Sequence, residues 1–235
     1  MTLDEVMSEL EGYADERTAA TWRRHGADGP LFGVKVGDMK KILKKIKGDQ
    51  GLAMELWDTG NADAMYLAAL VADGGQMTKK QLDSWARSAW WHMLTDWSVP
   101  WVASEHKDAF AIAVKWLNMK NEARASCGWN TYGSAISVRP DDELDLSEIR
   151  ELLKRVEAEV HTAPNGVRSA MNSFVISVGT YVKPLVEDAK ATAKKIGVVD
   201  IDVGDTSCKV PVATEYIAKV ELKGRIGKKR KSAKC

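Results

Sequence analysis

Over most of residues 1–196 apolar side chains recur at spacings of three and four, while Gly, Pro, Asn and Asp fall between the periodic stretches. That spacing gathers the apolar residues on one face of a helix, and the residues in between favour tight turns. The expectation is a nearly all-α chain of short helices, with no half rich in strand-like alternation. Two starts are sharply marked: Thr2-Leu3-Asp4-Glu5 and Thr78-Lys79-Lys80-Gln81 both have the capping-box pattern, the second ahead of a helix carrying Leu82, Trp85, Ala89 and Met93.

Further helices are expected at 38–47 with Asp38 as cap, 50–57, 61–73 with Asn61 as cap, 100–117, 121–138, 147–160, 165–178 and 181–196. Residues 197–210, where Val198, Val199, Ile201 and Val203 stand among Asp and Gly, suit an extended excursion or a short hairpin, and Pro211 starts a last short helix. About ten short helices joined by short loops suit antiparallel pairs stacked side by side, as in concave superhelices of the HEAT or armadillo kind; a compact bundle is the alternative, since no strict repeat is visible. Residues 1–222 would form one repeat domain and 223–235 a flexible basic tail.

Charge supports that division. The chain of 235 residues carries 34 Lys and Arg against 33 Asp and Glu, which excludes a generally cationic protein. Residues 219–235 hold eight of the bases and one acid, Glu221, leaving 26 bases and 32 acids in 1–218. The body is therefore near −6 and the tail near +7. Gly224–Cys235 (GRIGKKRKSAKC) lacks periodic apolar residues, and its Lys228, Lys229, Arg230 and Lys231 suit neutralisation of phosphates; a merely solubilising tail is the alternative.

No stretch approaches the roughly 20 apolar residues of a membrane span, and Met1–Leu10 carries Asp4, Glu5 and Glu9 where a secretory signal would be positive, so the cytoplasm is the expected location. Cys127, Cys208 and Cys235 are far apart and lack zinc spacing; they read as reduced thiols, Cys235 the exposed one. No metal or cofactor is implied. The chain has neither a phosphate-cradling G-x-x-x-x-G-K-[ST] loop nor a G-x-G-x-x-G turn, and its four His residues have no ligand or triad spacing.

Nine Trp residues all precede residue 130, and four of them fall in Trp90–Trp101 together with His92 and Asp96. Pro100 favours a helix start there, with 95–99 as a turn, so Trp97 and Trp101 need not share a face. Asp96 then either caps that helix or stands at the mouth of an aromatic cleft of the type that stacks on a base or stabilises a cation. Arg124, between an acidic neighbour and Trp129, is either a groove residue or half of a surface ion pair.

Leu31–Val36 (LFGVKV), Asp38–Ile46 (DMKKILKKI), Leu56–Gly60 (LWDTG) and Ala68–Asp73 (AALVAD), in that order, resemble the DNA alkylation repair (AlkD-like) family of HEAT-like-repeat proteins. The likeness runs unevenly from about 30 to 220, and the stretch 196–220 with its KKRK ending looks like one bacterial branch. The resemblance implies a concave solenoid that holds double-stranded DNA. In active members it implies a glycosylase that hydrolyses the N-glycosidic bond of N-alkylated purines, stabilising an oxocarbenium-like sugar with a carboxylate and aromatic faces. The family's first Trp matches Trp97 and its Arg matches Arg124; its catalytic Asp falls on Trp101, and its second Trp falls near Ser173.

Three readings follow. In the first, the chain binds alkylated or distorted duplex DNA with weak or no base excision, Trp97, Trp101 and Arg124 lining the groove and Lys35, Arg168 and the tail meeting phosphate. In the second it is an active glycosylase, with Asp96 as the carboxylate, Trp97 as an aromatic wall and Arg124 as a backbone clamp. In the third it is a helical-repeat scaffold for proteins. A monomer is expected in each.

Overall fold

The structure, a computed structural model, describes residues 1–234; Cys235, and with it the expectation of an exposed thiol there, lies outside the described residues. Among these residues there are thirteen α-helices and no strand. They divide into two compact units, one of residues 1–107 with 204–207 and Lys234, the other of 108–203 with 208–233. No helix among the described residues is long and apolar enough to cross a membrane.

The first unit runs α1 (Leu3–Gly12), α2 (Glu16–Arg24), α3 (Val36–Ile46), α4 (Gln50–Asp58), α5 (Ala62–Val71), α6 (Lys79–Ser88) and α7 (Val99–Glu105). Both capping boxes form, at Thr2 with Glu5 and at Thr78 with Gln81. Asn61 caps α5 by accepting the amides of Asp63 and Ala64. Every residue of α5 is buried, as expected of a helix apolar on all faces, and α1, α3, α4 and α7 pack around it. Trp57 of α4 stacks on Trp85 of α6 at 4.1 Å between ring centroids.

Several elements of this unit differ from the sequence expectation, the first being α3, which starts at Val36 with Lys35 at its cap and holds Asp38 inside its first turn rather than at the cap. Helix α2 is a further element outside the sequence expectation: it is short, rich in polar residues and carries few apolar ones, none of its residues is fully buried, and Asp15 starts it by accepting the Thr18 amide. Helix α6 ends at Ser88 rather than running on to Met93, and the chain turns through Ala89–Trp91 before it becomes helical again.

The second unit comprises α8 (Ala109–Leu117), α9 (Glu122–Val138), α10 (Leu146–Glu159), α11 (Asn165–Tyr181), α12 (Val186–Ile196) and α13 (Ala213–Leu222). The single helix expected over 100–117 is therefore two, because His106 takes extended backbone and ends α7. Helices α9 and α11 are the centre of this unit. Trp129 meets Phe174 edge-on, Tyr132 meets the same ring, and Gly133 lies opposite Ser177, so the two helices run parallel in register.

Residues 197–212 form an irregular excursion with no hairpin. One polar face of α11 holds it: Asn165 exchanges two hydrogen bonds with the Asp202 backbone, Arg168 donates to the Asp200 carbonyl at 2.7 Å, and Asn172 donates to the Pro211 carbonyl at 2.9 Å. The spacing of three and four puts all three on one side of the helix.

The basic tail, expected to be flexible, is docked. Helix α13 closes in a Schellman motif, with Gly224 at φ +59° and the amides of Gly224 and Arg225 donating to the Glu221 and Val220 carbonyls. The chain then crosses the C-terminal ends of α11 and α9, where the Gly227 amide donates to Thr180 and the Arg230 amide to Ser137. The Lys229 ammonium donates to the Ile136 carbonyl and pairs with Asp141 at 2.7 Å. Helix C-termini leave carbonyls without intrahelical partners and favour cations, and this segment supplies both kinds of donor. Lys234, within the first unit, makes the same kind of contact with the Ala72 carbonyl at the end of α5 and with Glu105.

Candidate nucleic-acid interface

Asp63 begins the candidate surface of the first unit. Its buried carboxylate accepts three successive amides, Phe32 at 2.6 Å, Gly33 at 3.1 Å and Val34 at 2.6 Å, and so fixes the loop that leads into α3. Burial pushes this carboxyl up, against the three amides that hold it down. Gly33 has φ +79°, and a Cβ there would stand 2.5 Å from the Ala19 amide nitrogen, so neither the conformation nor the space admits another residue. The loop delivers Lys35 to the start of α3, where its ammonium pairs with Asp15 at 2.9 Å in an exposed position. Chiefly that bond, with the Thr18 bonds, lowers the Asp15 pKa to about 2.

The Trp-rich stretch is largely structural. Trp90 donates to the Gly60 carbonyl and Trp91 to the His25 carbonyl, and Trp91 packs on Trp22 at 5.1 Å. Trp97 is the exception, 49% exposed. The chain from His92 runs helically into α7 through a π-turn over Leu94–Ser98, in which the Val99 amide reaches back five residues to the Leu94 carbonyl. Pro100 lacks the N–H that an α-turn would send to the Asp96 carbonyl, and the wider turn absorbs it. Trp97 and Trp101 therefore do meet, with ring centroids 6.3 Å apart.

That geometry corrects two expectations. Trp101 is 3% exposed, seated edge-on against Tyr66, so it supports Trp97 from beneath and has almost no surface for DNA. Asp96 does not cap α7; its side chain is 19% exposed, accepts from the Thr95 hydroxyl at 3.3 Å and faces His92 at 3.9 Å. Burial holds the His92 imidazole below its usual pKa, so at neutral pH it is uncharged. The π-turn thus presents one open indole and one partly open carboxylate side by side.

In the second unit Arg124 stands half-buried in the first turn of α9, where Asn121 accepts its amide at 3.0 Å. A cation at the positive end of a helix dipole gains nothing from that dipole. Arg168, expected at phosphate, instead braces the excursion through Asp200. Lys229 is likewise spent on Asp141 and on a helix end, while Lys228, Arg230 and Lys231 are exposed. The excursion brace and the helix-end caps escaped the sequence reading, although the spacing of Asn165, Arg168 and Asn172 on an otherwise apolar helix was a signal for the first. Among the described residues no group of His, Cys, Asp and Glu is placed to hold a metal ion.

A family model described as DNA alkylation repair enzyme matches residues 6–196. An uncharacterized protein of Listeria innocua is 33% identical over 225 residues, covering 93% of this chain and 97% of that protein. An uncharacterized protein of Listeria monocytogenes is 32% identical over the same length and coverage. A solved structure described as a new family of proteins related to the HEAT-like repeat DNA glycosylases, with affinity for branched DNA structures, superposes with a TM-score of 0.92 at 38% identity, covering all of both chains.

Proposed function

The chain belongs to the DNA alkylation repair family and has the fold of a HEAT-like-repeat relative, and from that premise we propose that it binds branched or otherwise distorted DNA with weak or no base excision. The observation that carries this reading is the π-turn. It offers an exposed aromatic ring, Trp97, above a buried one, Trp101, at the position where the resemblance would put a catalytic carboxylate. An indole can stack on a base or cover a sugar, but it cannot supply the negative charge that a developing oxocarbenium ion needs. The affinity for branched DNA described for the 38% identical relative supports the choice of ligand. Trp97 and Lys35 are the contacts proposed on the first unit, and Arg124 is a separate one on the second.

Asp96 favours a second reading, an active alkylpurine glycosylase, because a partly exposed carboxylate stands one residue from Trp97. One pair of assays separates them. Anisotropy with a labelled four-way junction and a linear duplex of the same sequence should show tighter binding to the junction and a log-linear loss of affinity with salt. Single-turnover incubation with methylated duplex should release base at the rate of spontaneous depurination. Release above that rate, abolished by Asp96→Asn, would establish the glycosylase reading instead; no DNA binding at low salt would reject both.

A further inference from the structure

At the C-terminal end of α13 the second unit holds a pocket of about 560 Å³ lined by cations and two phenols. Tyr216, Lys219 and Lys223 follow one another at three and four residues, which puts them on one face of α13. The Schellman turn at Gly224 then folds the chain back, so that Arg225 and Lys228 line the same cavity. The wall they form is fixed in place, since the Gly227 and Arg230 amides are bonded to the ends of α11 and α9. Among the described residues no carboxylate lines the pocket, and none is within ion-pair distance of Lys219, Lys223, Arg225 or Lys228. The one acid on this stretch, Glu221, is engaged with Lys190 at 2.7 Å. Burial, and then Tyr216, push the Tyr181 phenol up while Arg230 and Arg225 pull it down, so it stays protonated and adds no charge of its own.

Four cations without an acidic partner, held around one cavity in a chain whose remainder is net negative, repel each other and set up a local positive potential that a bound anion would relieve. The cavity is far larger than an inorganic ion needs and falls in the ~300–1,000 Å³ range of pockets that enclose a small organic group. Tyr216, 46% exposed, supplies an aromatic face at its edge. A base inside a duplex has both faces covered by its neighbours, whereas an unpaired strand offers phosphates and open base faces together. The geometry points to this pocket as a site for single-stranded DNA, with phosphates on Lys219, Lys223, Arg225 and Lys228 and an unstacked base against Tyr216. The inference rests on the DNA-binding reading and adds the strand form that this part of the molecule takes, which a branch point or fork provides.

The test uses the full chain and a fluorescein-labelled oligothymidylate of about 12 nucleotides, within the span that one such groove covers. Its binding is measured by anisotropy across a salt series beside the four-way junction. The unsubstituted protein should bind the oligomer. Lys219→Gln with Lys223→Gln should weaken it and flatten the log–log salt slope by about 1.4, two contacts at about 0.7 each for single strands. Tyr216→Ala should weaken binding by about fivefold or more without changing the slope, and Tyr216→Phe should restore it. Lys228→Gln, outside any helix, should flatten the slope by about 0.7, and serves if the double variant loses helicity.

An unchanged slope in folded variants overturns the assignment. So does deoxythymidine monophosphate competing as well as the oligomer, which would make this a nucleotide site. Binding to the junction but not to the oligomer overturns this inference alone, whereas loss of junction binding in the unsubstituted protein overturns the DNA reading beneath it.

Discussion

Asp63 shows how one residue can decide both stability and the placement of a surface. Its carboxylate satisfies the Phe32, Gly33 and Val34 amides inside a helix that is otherwise wholly apolar. Removing the acceptor strands those amides away from water, at about 1–3 kcal/mol for each group that finds no substitute. Asp63→Ala should therefore lower the urea-unfolding free energy by about 3 kcal/mol or more, and release Lys35 from its position. Asp15 makes a titratable mark on the same surface. Its folded pKa, about 2, lies below the ordinary aspartate value of 3.8, so what the Asp15–Lys35 pair adds is present above 3.8 and lost as pH falls through about 2. Carboxyl NMR should find that midpoint in the unsubstituted protein, and Lys35→Ala should raise it part of the way towards 3.8, the two Thr18 bonds holding the rest of the shift. A Lys35 that leaves Asp15 for a phosphate gives up only an exposed contact.

At the scale of helices, α8 and α9 approach each other closely at Gly128. A Cβ on Gly128 would stand 2.2 Å from the Leu117 amide nitrogen and 2.8 Å from the Ala113 carbonyl oxygen, and backbone cannot step aside as a flexible side chain can. Gly128→Ala gains helix propensity and loses the contact; overpacking of about 1–3 kcal/mol outweighs a propensity gain near 1 kcal/mol. The variant should unfold at lower urea, while Gly12→Ala, whose Cβ would meet nothing within 4 Å, should not. Helices with an apolar stripe or a capping box were legible in the sequence, as α5 and α6 were at their starts. Helix α2 was not, because it is short and its few apolar residues, Ala19 and Trp22 among them, are only partly covered. The π-turn was not either: Pro100 reads as a helix start, and the turn buries Leu94, Thr95 and Ser98 against the rest of the unit, a packing that local sequence does not reveal. Asp96 is legible from residue density, and Trp97 from density together with the family resemblance, but the burial of Trp101 depends on Tyr66, thirty-five residues away in sequence.

For the molecule as a whole the question is what the charge split between body and C-terminal segment is for. Read as sequence, 224–235 is a loose cationic tail, and cutting it off should cost binding and leave stability alone. The structure makes it part of the fold: its amides and Lys229 close the Thr180, Ser137 and Ile136 carbonyls at the ends of α11 and α9, and Lys229 pairs with Asp141. Losing three acceptors' partners, where water replaces some of them, should cost about 2–3 kcal/mol, at a net worth of about 1 kcal/mol per hydrogen bond. In a chain of this length each kcal/mol moves the melting temperature by about 2–4 °C, so a chain ending at Lys223 should melt about 5–10 °C lower. Replacing Lys228 and Lys231 by Gln keeps every backbone amide in place, and should therefore weaken DNA binding at an unchanged melting temperature. Thermal scans of the two variants beside their salt slopes separate the two roles, and a truncated chain that melts with the full one would return the segment to the status of a tail.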